Sequence, residues 1–395
     1  MIKLNAQNSQ IETEVNSAEI SEKLKKIEAR NQGFYKIVDD SVDEILKFTK
    51  SVEGKYEDIV VLGIGGSALG TICLRQSLTH LHEAIELHVL DNIDPAYMAQ
   101  LNDILDYSKT LFIVISKSGG TPETLSQYFY FKEKCDNFVF ITGKSGFLRE
   151  TGEKEGVKMF DIPENVGGRF SVLTAVGLLP AALIGIDIQK LLEGAKEMRD
   201  KFLSEDPNEN IPYQIATLQY LNSKKGRNMT VIMPYSQHLI RFSDWYRQLL
   251  AESIGKTKDV GLTPVSALGV TDQHSQSQLY MDGPDDKFFI LMKVEDLGPE
   301  VVIPGSEIDY LEGVSFNKLM HTEQQGTTDA LTHNKKPNIT LNVPKVDEFN
   351  LGALFMLFEG ATAFLGEFYG INAFDQPGVE LSKKLTKELL TGSEA

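Results

Sequence analysis

A hydroxyl-rich turn follows a short apolar segment near residue 116, and its residue types suit the binding of an anion. The segment Leu111–Ile115 predicts a buried strand, and the nine residues after it contain four Ser or Thr hydroxyls, one Lys and two glycines. Pro122 and Glu123 are typical of the first turn of a helix, where free backbone N–H groups attract negative charge. The pattern predicts a phosphate-binding turn, although it also fits an ordinary strand-to-helix loop capped by Thr121.

A second glycine-rich turn, Gly63–Ala68, follows another apolar segment and precedes a helical one. Its spacing approaches that of a dinucleotide-binding turn, and Asp91 stands where a ribose-binding acid would follow. Ser67 at the start of the helix suits a single phosphate equally well, and no Gly-Lys-Ser/Thr indicates a nucleotide-hydrolysing loop. A nicotinamide dehydrogenase therefore stays open here, but such an enzyme gives no role to the hydroxyls of residues 116–121.

Three further residues could move protons or stabilise charge. Arg169 lies in the segment Gly167–Ser171, whose flexible backbone could hold a cation over a site. Glu252 falls in the last turn of a helix that should end at Gly255, and the negative end of the helix dipole favours its action as a base. His274 stands among amides and hydroxyls and could transfer protons near neutral pH. Each also fits a structural role: a surface Arg, a solvated Glu and a hydrogen-bonded His.

The elements that must position these residues alternate between strand and helix patterns. The predicted strands are Ile59–Gly63, Leu87–Leu90, Leu111–Ile115, Phe138–Ile141, Lys158–Ile162, Thr230–Met233, Phe288–Val294 and Asn338–Val343. Apolar strands between helices predict α/β domains with parallel sheets, which bind ligands at the carboxyl ends of their strands. We predict an N-terminal helical segment (1–44), a first domain (45–203), a second domain (211–371) and a C-terminal loop and helix (372–395).

Composition indicates a globular protein with an acidic surface. The chain has 395 residues, of which 42% are hydrophobic and 24% charged. Its formal net charge of −17 argues against nucleic acid and anionic membranes as partners, because both need basic surface. The apolar segments Val172–Ile186 and Leu351–Ile371 are too short or too charged to span a membrane, so we interpret them as buried helices. Cys73 and Cys135 show no metal-binding spacing, and the N-terminus lacks a secretory signal, which indicates a cytoplasmic protein.

Taken together and in this order, the motifs resemble those of the phosphoglucose isomerase family in its shorter bacterial form. The most specific are Gly-Gly-Arg-Phe-Ser at 167–171 and Phe-Asp-Gln-Pro-Gly-Val-Glu at 374–380, followed by Lys383, which alone would be taken for a surface Lys. The resemblance implies an α/β fold of two sugar-isomerase (SIS) domains, each a mainly parallel sheet flanked by helices. It also implies an active site between the domains and at a dimer interface, with no metal and no organic cofactor.

The resemblance assigns a role to each candidate residue. The substrate-binding residues would be Gly66, Ser67, Ser116, Lys117, Ser118, Thr121, Gln248 and Gln376, with the phosphate at the hydroxyls. Glu252 would carry the proton between C1 and C2, and Arg169 would stabilise the enediolate. His274 and Lys383 would open the sugar ring. In the family the His comes from the neighbouring subunit, so we expect a homodimer that interconverts glucose 6-phosphate and fructose 6-phosphate in glycolysis and gluconeogenesis.

Two departures from the family pattern remove no catalytic group: Ile254 replaces a frequent Asn of longer members, and Ser118 replaces a frequent Thr. Two alternatives stay open. One is an isomerase with additional activity on mannose 6-phosphate, and the other is a sugar-phosphate-binding regulator of the same fold without catalysis. The joint presence of the four groups assigned to chemistry favours an enzyme over a regulator.

Overall fold

The computed structural model describes residues 1–12, 16–81 and 84–392 of the chain. The strands are β1 Lys3–Asn5, β2 Asp58–Leu62, β3 Glu86–Leu90, β4 Thr110–Ser116, β5 Phe138–Thr142, β6 Lys158–Asp161, β7 Met229–Pro234, β8 Thr263–Ser266, β9 Lys287–Asp296 and β10 Asn338–Lys345. The helices are α1 Ser17–Ala29, α2 Asp43–Val52, α3 Leu69–Leu78, α4 Pro95–Ile104, α5 Pro122–Lys132, α6 Phe147–Glu155, α7 Ala175–Leu183, α8 Ile188–Leu203, α9 Ile211–Lys224, α10 Ile240–Ile254, α11 Ser277–Asp282, α12 Phe316–His333, α13 Glu348–Tyr369 and α14 Glu380–Thr391.

The first sheet has the strand order β3-β2-β4-β5-β6, and all of its pairings are parallel. Its central strands are apolar throughout because both faces are covered: Val60 and Phe112 lie in one buried cluster, whereas Val61 and Ile113 lie in the other. Strands β2 and β4 pair directly. The turns that follow these two strands therefore lie side by side at the carboxyl edge of the sheet.

The second sheet has the order β1-β10-β9-β7-β8, in which only β1 runs antiparallel to its neighbour. All eight predicted strands are present, as β2 to β7, β9 and β10, but the edge strands β1 and β8 were not predicted. Strand β1 is three residues long, and β8 contains Pro264, so neither has a clear apolar periodicity. The prediction that the segment 1–44 is helical needs correction, because this segment contains strand β1 at the edge of the second sheet in addition to helix α1.

Helix α13 corresponds to the apolar segment predicted as a buried helix, and it packs against both halves of the molecule. Gly352 approaches the backbone of Leu191 in α8 so closely that a Cβ atom would collide with it. On another side, Phe355 stacks edge-on against Trp245 of α10, with ring centroids 4.7 Å apart. Among the described residues this is the one helix long and apolar enough to cross a membrane, but 94% of its apolar window is buried within the protein. We therefore interpret it as a core helix that joins the two sheets.

Candidate active site

The hydroxyl-rich turn at the end of β4 brings three predicted hydroxyls together. Ser116 is 1% exposed, and its Oγ lies 2.8 Å from Thr121 Oγ1 and 3.4 Å from Ser118 Oγ. The Thr121 side chain makes no capping hydrogen bond to α5, although the helix begins at Pro122 as predicted. Thr121 thus occupies the N-cap position without capping the helix through its hydroxyl. The hydroxyls instead converge beside the N-terminus of α5, where the helix dipole favours an anion.

Lys117, within the same turn, points its ammonium group away from these hydroxyls. Its Nζ donates to the carbonyl oxygens of Glu164 at 2.9 Å and Val166 at 2.8 Å. Burial lowers the pKa of Lys117. The side chain thus joins the hydroxyl turn to the segment that precedes Arg169.

The glycine-rich turn after β2 lies against both Arg169 and helix α10. A Cβ atom on Gly66 would collide with the carbonyl of Gly168 and lie 2.8 Å from Arg169 N, so only glycine fits there. Gly65 has φ +57°, and a Cβ atom on it would lie 2.9 Å from Gln248 Nε2. Ser67 is half-buried, and within residues 1–12, 16–81 and 84–392 its hydroxyl has no hydrogen-bond partner. The turn therefore presents a free hydroxyl next to the Arg169 segment.

Arg169 is the central residue of the site, because its guanidinium group connects its own segment to the end of α10 and to the loop at residues 373–376. It is 4% exposed. Its Nε donates to Ser253 Oγ at 2.7 Å, and its Nη1 donates to Gln376 Oε1 at 2.9 Å and to Glu252 Oε2 at 3.3 Å. Its Nη2 donates to two backbone carbonyls, those of Ala373 at 2.6 Å and Asp375 at 3.0 Å. Burial lowers the pKa of Arg169, while the neighbouring Glu252 carboxylate opposes that shift.

Glu252 projects from the last turn of α10 with both oxygens engaged. Oε2 accepts from Arg169, and Oε1 accepts from Gln248 Nε2 at 3.1 Å. Its side chain is 35% exposed, so one side of the carboxylate faces the cleft. Helix α10 ends at Ile254 as expected, but Gly255 has φ −74° rather than a left-handed value. Glycine is needed there because a Cβ atom would lie 2.8 Å from Ala251 O.

The structure does not bring His274 and Lys383 to this cluster. Lys383 lies on the exposed helix α14, where its Nζ pairs with Glu380 Oε1 at 2.8 Å. The imidazole of His274 is exposed and, in the part of the chain that the structure describes, has no hydrogen-bond or ion-pair partner. The predicted residues in direct contact are therefore Gly66, Arg169, Glu252, Gln248 and Gln376. The hydroxyls of Ser116, Ser118 and Thr121 form a second group, at the end of the strand that pairs with β2.

Sequence reasoning missed three residues that hold this cluster together: Ser253, Lys256 and Asp375. Lys256 Nζ donates to Glu252 O at 2.8 Å and lies 3.1 Å from Asp375 Oδ1. Asp375 stands within the motif 374–380, and Ser253 and Lys256 flank the predicted helix end at Gly255. The spacing of four between Glu252 and Lys256 at a helix end was the available signal. As for metals, no group of three or more His, Cys, Asp and Glu side chains suited to a metal ion occurs in the described ranges.

Comparison with known sequences indicates the same family in each of the matches described below. A sequence model of phosphoglucose isomerase matches residues 5–271 and 316–395, which include Arg169, Glu252 and Lys383 but not His274. A glucose-6-phosphate isomerase of Carboxydothermus hydrogenoformans is 43% identical, over 95% of this chain and 88% of its own length. Another from Methanocaldococcus jannaschii is 38% identical, over 93% of this chain and 92% of its own length.

Solved structures share the fold of this chain. A hypothetical protein from Thermus thermophilus superposes with a TM-score of 0.92 at 34% identity, covering 99% of this chain and all (100%) of the other. A tagatose-6-phosphate ketose/aldose isomerase from Escherichia coli, at 12% identity and a TM-score of 0.55, covers 93% of this chain and 98% of its own and shares the fold. With the family match over most of its length, the chain belongs to the phosphoglucose isomerase family.

Proposed function

We propose that the protein is a glucose-6-phosphate isomerase, an aldose–ketose isomerase that interconverts glucose 6-phosphate and fructose 6-phosphate. The observation that carries this proposal is the cluster around Arg169, whose guanidinium bonds both Glu252 and Gln376. A fixed cation, a half-exposed carboxylate and a nearby hydroxyl turn are the parts that such a reaction needs. A regulator that only binds sugar phosphates would not need the carboxylate and the cation in contact, so the comparisons and the site favour the enzyme.

The phosphate end of the sugar is bound by hydroxyls. Ser116, Ser118 and Thr121 lie at the N-terminus of α5, and Ser67 reaches the same edge of the sheet from the neighbouring turn. Hydroxyls and helix N-termini bind an anion without proton transfer. This turn therefore anchors one end of the substrate and leaves the chemistry to the other end.

The carbonyl end of the sugar is where protons move. Opening the ring requires one group to protonate the ring oxygen and another to accept the proton of the anomeric hydroxyl. We assign this work to His274 and Lys383, which lie outside the Arg169 cluster of their own chain and have to reach the sugar from elsewhere in the assembly. Glu252 then removes the proton from C2 and returns it to C1 through a cis-enediol. Arg169 stabilises the negative charge that develops on oxygen, because a guanidinium keeps its proton.

The variant Glu252→Gln tests the assigned base. We expect it to lose isomerase activity in a coupled assay on fructose 6-phosphate while remaining folded and still binding the sugar phosphate, because the amide preserves shape but cannot accept the proton. Glu133→Gln, at the exposed end of α5, is the matched control and should behave as wild type. Wild-type turnover by the Glu252 variant would show that another group is the base.

A homodimer with His274 supplied across the interface accounts for the position of that residue. The turn that carries it is held from several sides: Asp272 accepts from Leu268 N at 2.7 Å, and Gln273 bridges Tyr235 and Glu323, both at 2.9 Å. A rigid turn that leaves its imidazole exposed suits a side chain that acts on another subunit. Helix α14 supports the same arrangement, because it exposes an apolar face. That face consists of Leu381, Leu385, Leu389 and Leu390.

Mixing two inactive variants tests this arrangement. If each site combines Glu252 of one subunit with His274 of the other, hybrids of Glu252→Gln and His274→Gln contain one intact site and one doubly altered site. Random assortment should then restore about a quarter of wild-type activity. No recovery in hybrids of confirmed composition would mean that His274 acts within its own chain or not at all.

Specificity and cellular location extend the proposal. Rates on mannose 6-phosphate and glucose 6-phosphate, compared at equal concentration, separate a strict isomerase from one with broader activity.

A cytoplasmic location is supported by Cys73 and Cys135, which are both free thiols. Cell fractionation followed by the isomerase assay would test it.

A further inference from the structure

Lys256 lies one helical turn after Glu252, and its ammonium group is bound to the end of α10. Its Nζ donates to Glu252 O at 2.8 Å. That carbonyl is among the last four of the helix, which have no partner within the helix itself. A cation placed there satisfies the carbonyl and opposes the negative end of the helix dipole. Lys256 therefore stabilises the turn from which the Glu252 carboxylate projects.

The same ammonium group also holds the loop that carries Gln376. Lys256 Nζ pairs with Asp375 Oδ1 at 3.1 Å and also donates to the Asp375 carbonyl. That carbonyl accepts a second hydrogen bond, from Arg169 Nη2 at 3.0 Å. The Lys256 side chain is only 8% exposed, and its ammonium group is bonded to protein oxygens. Two cations thus converge on one loop residue, directly before Gln376.

The charged groups facing Lys256 are Glu252, Asp375 and Arg169. Burial lowers the pKa of Lys256, and the Arg169 guanidinium acts in the same direction, whereas the two carboxylates oppose it. Lys256 therefore adds positive potential beside Glu252.

We propose that Lys256 is a positioning residue of the isomerase site, which fixes the Glu252 turn and the Gln376 loop relative to each other and to Arg169. This inference rests on the proposed roles of Glu252 and Gln376. The hydroxyl-rich turn follows strand β4 of the first sheet and has no contact with Lys256 in the described chain, so the affinity of that turn for phosphate should not depend on Lys256.

The variant Lys256→Met keeps the length of the side chain and removes its charge. We expect kcat on fructose 6-phosphate to fall about 10- to 100-fold with KM changed less than about threefold, since misplacing a catalytic group affects mainly the chemical step. Removing a neighbouring cation makes a carboxylate easier to protonate, so the acidic limb of the pH profile should move to higher pH. Lys256→Arg should restore the position of this limb and part of kcat, which a merely structural role would not predict.

Lys258→Met is the matched control, because Lys258 is exposed two residues further along the chain. An unchanged kcat and pH profile for Lys256→Met, alongside an inactive Glu252→Gln, would overturn the positioning role and leave the proposed function intact. An active Glu252→Gln would instead overturn the assigned base. Should Lys256→Met fail to fold, Asp375→Ala tests the same proposal, because it removes the carboxylate that pairs with Lys256. A lowered kcat at unchanged KM would support the positioning role of Lys256, and wild-type kinetics would contradict it.

Discussion

Arg169→Met is the substitution whose consequences the structure determines most fully. The change removes five hydrogen bonds, of which two go to the backbone carbonyls of Ala373 and Asp375. The Asp375 carbonyl keeps its hydrogen bond from Lys256 Nζ, whereas the buried Ala373 carbonyl loses its donor, so a loss of about 1–3 kcal/mol in the free energy of unfolding is expected. Thermal or urea unfolding measures this loss.

The effect on catalysis should exceed the effect on folding. Removing one preorganised group that stabilises a developing oxyanion lowers kcat by about 10²–10³, or about 2.7–4 kcal/mol of barrier. The coupled assay on fructose 6-phosphate measures this, at a temperature where the variant is fully folded by circular dichroism. Arg169→Lys keeps the charge but cannot reproduce the planar fork, so it should lie between wild type and Arg169→Met.

Arg241→Met is the control for Arg169→Met, because it removes a guanidinium group from the surface rather than from the site. In the described ranges Arg241 forms an ion pair with Asp244 alone, three residues along α10, and its side chain is 52% exposed. Such a pair contributes about 0–1 kcal/mol, and we expect unchanged kinetics. A folded Arg169→Met with kcat within about threefold of wild type would refute the argument that this cation stabilises the reaction.

Three further predictions concern other parts of the molecule. The double variant Ser116→Ala/Thr121→Val should raise KM for sugar phosphates at least tenfold while lowering kcat much less, because it removes anchoring hydroxyls. Steady-state kinetics measure both constants, and Ser108→Ala is the control. Gly66→Ala should displace the Arg169 segment and reduce kcat, since a Cβ atom would lie 2.8 Å from Arg169 N, whereas Gly305→Ala has open space and should be neutral. Glu359 is fully buried, neither carboxylate oxygen has a partner in the described chain, and burial raises its pKa well above the ordinary 4.5. The unfolded chain therefore releases this proton at lower pH than the folded protein, so stability falls as pH rises above 4.5 until the raised pKa is reached. Glu359→Gln should remove this pH-dependent loss of stability, so the difference in Tm between the variant and wild type should grow with pH. A Tm difference independent of pH would contradict the raised pKa of Glu359. Glu307→Gln, at an exposed position, is the control.

The family, the fold class and most of the buried elements follow from the sequence alone. Short apolar segments such as Leu111–Ile115, rich in β-branched residues and followed by turn residues, are typical of central strands of a covered sheet, and the turn residues indicate where helices begin. The signatures at 167–171 and 374–380 are specific enough to select the family by themselves. The short edge strand Lys3–Asn5 could not be predicted, because three residues carry no periodicity and its pairing with β10 spans most of the chain.

Only the tertiary structure decided how the site is held together. Arg169, Glu252 and Gln376 are far apart in sequence, and their hydrogen bonds depend on how helix α10 and the C-terminal loop pack against the first sheet. The positioning contacts of Lys256 and Ser253 are equally invisible in sequence, because a Lys or Ser at a helix end is usually solvated. A motif determines which chemical groups are available, whereas distances and burial, which determine what those groups can do, arise from packing between distant segments.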